Sequence, residues 1–211
     1  MYPVYTRSER VADGSMHAIG VTGAVLGAVL ILSWAAPVAS AWEITAVAIY
    51  AMTLIATFTA SAFYHMTPWE SIRPILRRID HAAIYLKIAG TYTPLVVMIG
   101  SGLAYVVLGV VWAMAIVGMT LKLVFWSTPS RFGPVLYLVM GWISVILVWS
   151  GWDSLPFGLI LAGGLLYTVG VIFHAAEKMK FSNAIWHAFV IAASACFFAA
   201  ITVSVTQQTV A

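Results

Sequence analysis

This sequence predicts an all-α fold, a seven-transmembrane helix bundle with its N-terminus in the cytoplasm and its C-terminus outside. Three observations carry that reading. Hydrophobic residues make up 63% of the 211-residue chain and charged residues 8%, with a mean hydropathy of +1.00. A soluble domain is nearer half apolar and a quarter charged. The apolar residues gather into runs of about 20, the length that crosses a bilayer, and a chain of this size accommodates about seven. Finally, nine of the ten Lys and Arg residues fall in the lead and in alternate connections: Arg7 and Arg10, then Arg73, Arg77 and Arg78, then Lys122 and Arg131, then Lys178 and Lys180. The intervening turns and the C-terminal tail have none. Cytoplasmic loops are the basic ones, and an even number of spans would break the pattern.

Residues 1–15 form a polar lead with Arg7, Glu9, Arg10 and Asp13, followed by His17. Glu9, Asp13 and His17 are four apart, so a helical lead would set them on one face. The lead does not resemble a cleavable signal peptide. Span 1 covers about 17–36, and its Gly20, Gly23 and Gly27 would let a neighbouring helix come close. Span 2, about 43–65, follows a turn at Pro37 and ends in Ser61-Ala62-Phe63-Tyr64-His65. A short basic link leads to span 3, about 80–99, which opens with Asp80-His81. Pro94 should kink it. Lys87 lies inside it, two turns below Asp80, and should snorkel or pair with a carboxylate. Gly100-Ser101-Gly102 is a turn, and span 4 covers about 103–124. Span 5 is about 135–150, span 6 about 157–175 ending at His174, and span 7 about 183–205. Trp42, Trp69, Trp126, Trp152 and Trp186 fall near span ends and read as interfacial anchors. The whole chain, 1–211, is one integral membrane domain.

Composition excludes other classes. No Lys/Arg-rich tract suits a phosphate backbone, so nucleic acid is not a partner. The single cysteine, Cys196, excludes an internal disulfide and a zinc finger.

Chemistry gathers at one end. His17, His65, His81, His174 and His187 all fall at cytoplasmic span ends, and Asp80 joins them. Ionisable groups at a membrane edge are costly unless paired, solvated or bound. Imidazoles and carboxylates from separate helices can share a zinc ion, which takes three or four such donors. Ser61 and His65 lie on one helix face, and with Asp80 and His81 they read as half of a metal site.

The segments Ser61–His65, Asp80-His81 and Asn183-Ala184-Ile185-Trp186-His187-Ala188-Phe189-Val190 together resemble the haemolysin III family, bacterial relatives of the adiponectin and progestin receptors. The resemblance covers nearly the whole chain. It implies a seven-helix protein of the bacterial inner membrane with Zn2+ near the cytoplasmic leaflet. The ligands it implies are a histidine ending span 2, here His65, and a His-x-x-x-His pair opening span 7, here Asn183 and His187. Asn183 thus departs from the pattern, as does Phe197, where relatives carry a further histidine. His174 or Asp80 is placed to supply the missing donor. Asp80 and Ser61 match the polar groups beside the metal and would be catalytic.

Because the wider superfamily includes alkaline ceramidases, the resemblance implies hydrolysis of a lipid amide, in a protein concerned with membrane lipid homeostasis. Membrane lipids would be its partners and an acyl lipid its substrate. Two further readings remain: a receptor-like or membrane-fluidity sensor with a structural metal, and a cytolytic pore. The nearly all-apolar outer halves of the spans argue against a pore. No charged pair at the bilayer midplane suggests a transporter.

Overall fold

The computed structural model describes residues 5–125, 132–150, 155–176 and 178–207. Those residues are helical throughout, apart from their connections. The helices are α1 (Arg7–Ala35), α2 (Ala41–Met66), α3 (Arg73–Ile99), α4 (Gly102–Leu123), α5 (Phe132–Trp142), α6 (Ser144–Ser150), α7 (Phe157–Ala175) and α8 (Ser182–Gln207). Six of these are long and apolar enough to cross a membrane. Where span 5 was expected, α5 and α6 follow one another, broken at Ile143, and their apolar stretch, Val135–Leu147, is shorter than the other six.

Local chemistry sets the ends. Thr6 caps α1 and Ser40 caps α2, each in a reciprocal box with a glutamate three residues on, Glu9 and Glu43. Such a cap stabilises a helix by about 1 kcal/mol. The basic link read between spans 2 and 3 is instead helical. Arg73, Arg77 and Arg78 belong to the first turns of α3, where Pro74 sits at a position that needs no N–H. Gly100 ends α3 with φ 67°, the left-handed conformation that favours glycine. Pro94 does not end α3, which runs on to Ile99. At the α5–α6 break, Tyr92 donates from its hydroxyl to the carbonyls of Met140 at 2.6 Å and Gly141 at 3.0 Å. Those bonds satisfy backbone oxygens at the interruption, where an unpaired carbonyl would be costly.

The central helix is α3, with 67% of its most apolar stretch buried, against 17% for α7. It is also the least hydrophobic of the six long helices. One apolar cluster packs Ala24 and Ile31 of α1, Tyr50 and Leu54 of α2, Leu95 of α3 and Ile201 of α8. Another packs Tyr85 and Val96 of α3 against Val107 and Val111 of α4 and Met140 of α5. The perimeter exposes aliphatic side chains such as Leu26, Val29, Val106 and Val117. So large an apolar exterior suits lipid, not water.

Small residues set the spacing, with a twist on the sequence expectation. Gly20 and Gly27 make room for the rings of Phe58 and Phe198, while nothing stands within 4 Å of a Cβ at Gly23. A tighter approach is at Gly90, where a Cβ would collide with the side chain of Thr53 on α2. Trp42 and Trp69 are exposed near helix ends, as interfacial anchors would be. Trp126, Trp152, Arg131 and Glu177 lie outside the described residues.

Thr53 is β-branched and its hydroxyl is bonded to the Tyr50 carbonyl, so it cannot turn aside cheaply. Gly90→Ala is therefore expected to destabilise the bundle by about 1–3 kcal/mol. Gly23→Ala should be near neutral. Denaturant titration in detergent reads both, and equal stabilities would refute the packing described.

Candidate metal centre

The first donor pair comes from α1. Its buried residues are Asp13, His17, Gly20, Ala24, Ala28, Ile31 and Ala35, a stripe at helical spacing that faces the bundle. Asp13 and His17 are the top turn of that stripe. His65 lies in the last turn of α2 and His187 in the second turn of α8. The entry to α8 is pinned: Phe181 holds φ 63°, unusual for an aromatic residue, and its N–H donates to Glu9 Oε1 at 3.1 Å. That bond ties the start of α8 to the start of α1.

The three imidazoles meet. Ring centroids are 5.0 Å apart for His17–His65, 4.3 Å for His17–His187 and 4.7 Å for His65–His187. One nitrogen from each lies within 4.8 Å of the others, and all three side chains are buried. Donors around a tetrahedral zinc stand about 3.3 Å apart, given Zn–N bonds near 2.0–2.1 Å. The cluster needs only a modest contraction to meet that figure.

Asp13 lies against all three rings. Its carboxylate is 2.7 Å from His187 Nδ1, 3.5 Å from His65 Nδ1 and 3.6 Å from His17 Nε2. A carboxylate on Nδ1 fixes a histidine's tautomer and leaves Nε2 to ligate. His17 Nε2 is buried and has no hydrogen-bond partner. A buried, unsatisfied imidazole nitrogen facing two others and a carboxylate is what a cation-binding site presents. The residues present therefore fit a divalent ion that favours imidazole, such as zinc.

The other sequence candidates lie around this group. The Asn183 amide is 3.3 Å from His65 Nδ1, so it touches the second helix's histidine. The His174 ring packs on Trp186 with centroids 5.0 Å apart. His174 is not one of the three histidines grouped among the described residues; His17 is. Ser61 of α2 is close enough to Asp80 of α3 to act on its carboxylate. Both line a cavity of about 710 Å³, which His17, His65 and His187 also line. His81 lies on the same wall, and its backbone carbonyl accepts from the Tyr137 hydroxyl at 3.0 Å.

Sequence reasoning set Asp13 and His17 on one helical face but left them out of the ligand set. The signal was their four-residue spacing. Lys87 does something else again. Its Nζ is buried and meets no carboxylate among the described residues; it donates to Ser194 Oγ at 2.7 Å and lies over the rings of Phe58 and Tyr167.

Comparison with known proteins agrees with the resemblance. Residues 5–198 match the family described as haemolysin-III related. The "Hemolysin-3 homolog" of Bacillus subtilis (strain 168) is 36% identical over 199 residues, covering 92% of this chain and 93% of the relative. "Hemolysin-3" of Bacillus cereus is 32% identical over 194 residues, covering 90% and 89%. The human "Monocyte to macrophage differentiation factor" is 29% identical over 202 residues, covering 92% and 83%.

Three single substitutions test the ligand set. His17→Ala, His65→Ala and His187→Ala should each lose stoichiometric metal, and His174→Ala should keep it. Asp13→Ala should weaken metal affinity about 10- to 100-fold, the usual cost of losing a group that orients a ligand. Elemental analysis of purified protein decides, and full metal content in the His65→Ala/His187→Ala double variant would sink the assignment.

Proposed function

The chain belongs to the haemolysin-III-related family of integral membrane proteins, and from that premise we propose that it is a zinc-dependent hydrolase of acyl lipids. The observation that carries this reading is the shared cavity. One wall presents three imidazoles able to hold a metal, and the same cavity is lined by a carboxylate and a hydroxyl.

His17, His65 and His187 would hold the ion, with Asp13 fixing the His187 ring through Nδ1. When bound, zinc supplies Lewis-acid polarisation of an acyl carbonyl. Asp80 takes up a proton from the attacking water at its carboxylate and later returns it to the leaving group. Ser61, beside Asp80 on the cavity wall, is placed for its single Oγ–H to donate to the carbonyl oxygen as charge builds there. The ceramidase relationship of the superfamily makes an amide the first linkage to try. The nine-to-zero division of basic residues supports placing this end of the bundle at the cytoplasmic leaflet of a bacterial plasma membrane. Substrate would then arrive sideways from the lipid.

A second reading has an observation of its own. Asp13 lies within 3.6 Å of all three imidazoles, so its carboxylate could close a four-donor shell. Closed shells are the mark of structural metal sites. The protein would then be a receptor-like or fluidity-sensing protein with a structural ion. A lytic pore, suggested by the relatives' names, has the least support, because the outer halves of the helices offer few polar groups to line one.

Asp80 separates the two readings. Asp80→Asn should cut hydrolysis of acyl lipids about 10²- to 10⁴-fold with metal content unchanged. Ser61→Ala should cost about 10²-fold or more. Lipid composition of a deletion strain complemented with Asp80→Asn gives the cellular counterpart: a fully restored lipid profile favours the sensor over the enzyme.

A further inference from the structure

The chamber beside the metal centre has a floor, and helix register shows how it is built. Four residues lie seven positions, two turns, from the polar residues at the cytoplasmic end of their helices. They are Phe58 from His65 on α2, Lys87 from Asp80 on α3, Tyr167 from His174 on α7 and Ser194 from His187 on α8. At 1.5 Å per residue they stand about 10 Å deeper than the metal centre. Ser194 ties the polar three together. Its Oγ accepts from Lys87 Nζ at 2.7 Å, lies 3.2 Å from the Tyr167 hydroxyl and donates to the Val190 carbonyl at 2.6 Å. Phe58 covers this knot: Lys87 Nζ lies over its ring, 4.7 Å from the centroid, and Gly20 leaves that ring room against α1. Of the four, Phe58 alone lines the cavity.

Between the metal layer and this floor the wall is largely apolar. About one turn down it presents Ile84 of α3, Val171 of α7, and Val190 and Ile191 of α8. Thr57 of α2 also lines it, with its hydroxyl 2.8 Å from the Thr53 carbonyl and 2.9 Å from the Ala83 carbonyl. A polar headgroup entering here would lose its hydration to an apolar wall, whereas a hydrocarbon chain suits it. An extended carbon chain advances about 1.3 Å per atom, given bonds near 1.5 Å. The descent of about 10 Å therefore takes roughly eight carbons.

We propose that this lower chamber is a blind acyl pocket that admits an acyl group of up to roughly eight carbons, with Phe58 setting the limit. This rests on the acyl-lipid hydrolase reading and names its substrate class, a lipid with a short acyl group. The linkage lies beside Asp80 and the histidines, the acyl tail points at Phe58, and the rest of the lipid stays in the bilayer. A volume of about 710 Å³ for the whole cavity is in the range of small-ligand sites. A longer acyl chain would have to displace the Phe58 ring, which Lys87 and the close approach of α1 at Gly20 hold in place. Overpacking of that kind costs about tenfold or more in affinity.

A competition between chain lengths tests this. Purified full-length protein with its metal, in lipid nanodiscs, is given an equimolar mixture of N-acyl sphingosines with acyl groups of four, eight, twelve and sixteen carbons. Native mass spectrometry counts the bound species, and released fatty acids are measured beside it. The protein should hold the four- and eight-carbon species at least about tenfold over the twelve- and sixteen-carbon ones. Phe58→Ala should admit the twelve-carbon species. Ile84→Phe, which fills the chamber nearer the metal, should exclude the eight-carbon one, and both variants should keep their metal. If Phe58→Ala does not fold, the wild-type profile and Ile84→Phe decide. Sixteen-carbon binding equal to eight-carbon binding in the wild type overturns the proposal, as does a profile that Ile84→Phe leaves unchanged, or binding of none of the four. Release of fatty acid from all lengths alike would defeat this inference and leave the hydrolase reading standing. A length limit in binding with no fatty acid released would do the reverse.

Discussion

Asp13 is the group on which the arrangement of α1, α2 and α8 depends. A carboxylate buried at a membrane edge costs several kcal/mol unless it is answered by charge or hydrogen bonds. Here the answers come from His187, 174 residues away in sequence, from His65 and from its own helix at His17. No two of these helices can shift relative to the third without leaving the carboxylate exposed to apolar surroundings. Below it, the small residues Ala24, Ala28 and Ala35 keep the buried face of α1 narrow, and close approach between helices is what van der Waals packing in a membrane rewards. Above it, the Glu9–Phe181 bond repeats the α1–α8 connection at the helix starts. The cluster is thus held from both sides before any ion is considered.

A cation among the imidazoles changes the balance. His187 Nδ1 and His65 Nδ1 answer the carboxylate at 2.7 and 3.5 Å, while His17 Nε2, 3.6 Å from it, makes no hydrogen bond. A divalent ion would use that nitrogen and counter the Asp13 charge together. Metal binding and helix packing are then the same event seen from two sides, as they are wherever ligands come from separate elements.

What the sequence reveals is what depends on short-range pattern. Span 6 was expected at 157–175 and α7 is Phe157–Ala175; span 4 at 103–124 and α4 is Gly102–Leu123. Continuous apolar runs with few alternatives settle such elements. The start of α3 was less legible, because Arg73, Arg77 and Arg78 look like a loop when hydropathy is the guide, although Pro74 in the first turn was a usable sign. The α5–α6 break had no local sign strong enough to call, since its compensation comes from Tyr92, 48 residues from Met140. The site was half legible. The resemblance to the haemolysin III family singled out His65 and His187, whereas position alone left His17, His81 and His174 at the same end, and only inter-helix packing decides which of them turns toward the pair.

The same register explains Lys87. Asp80 to Lys87 and His187 to Ser194 are both seven residues, two turns, on helices that start at the same end. The polar layer of the site is therefore followed, about 10 Å deeper, by a second layer in which Lys87 meets Ser194. Phe58, seven residues before His65 on α2, belongs to this second layer; it lines the cavity, and the Lys87 Nζ lies over its ring, 4.7 Å from the centroid. The ring closes the chamber with an apolar surface on one side and accepts the lysine's charge on its face on the other, an interaction worth about 0.5–2 kcal/mol. Gly20 is what admits it, since any side chain there would strike the ring. A mid-membrane cation in such a bundle need not mark a pathway: here it is spent on a hydrogen bond and two aromatic faces, and it seals the floor of the cavity above it.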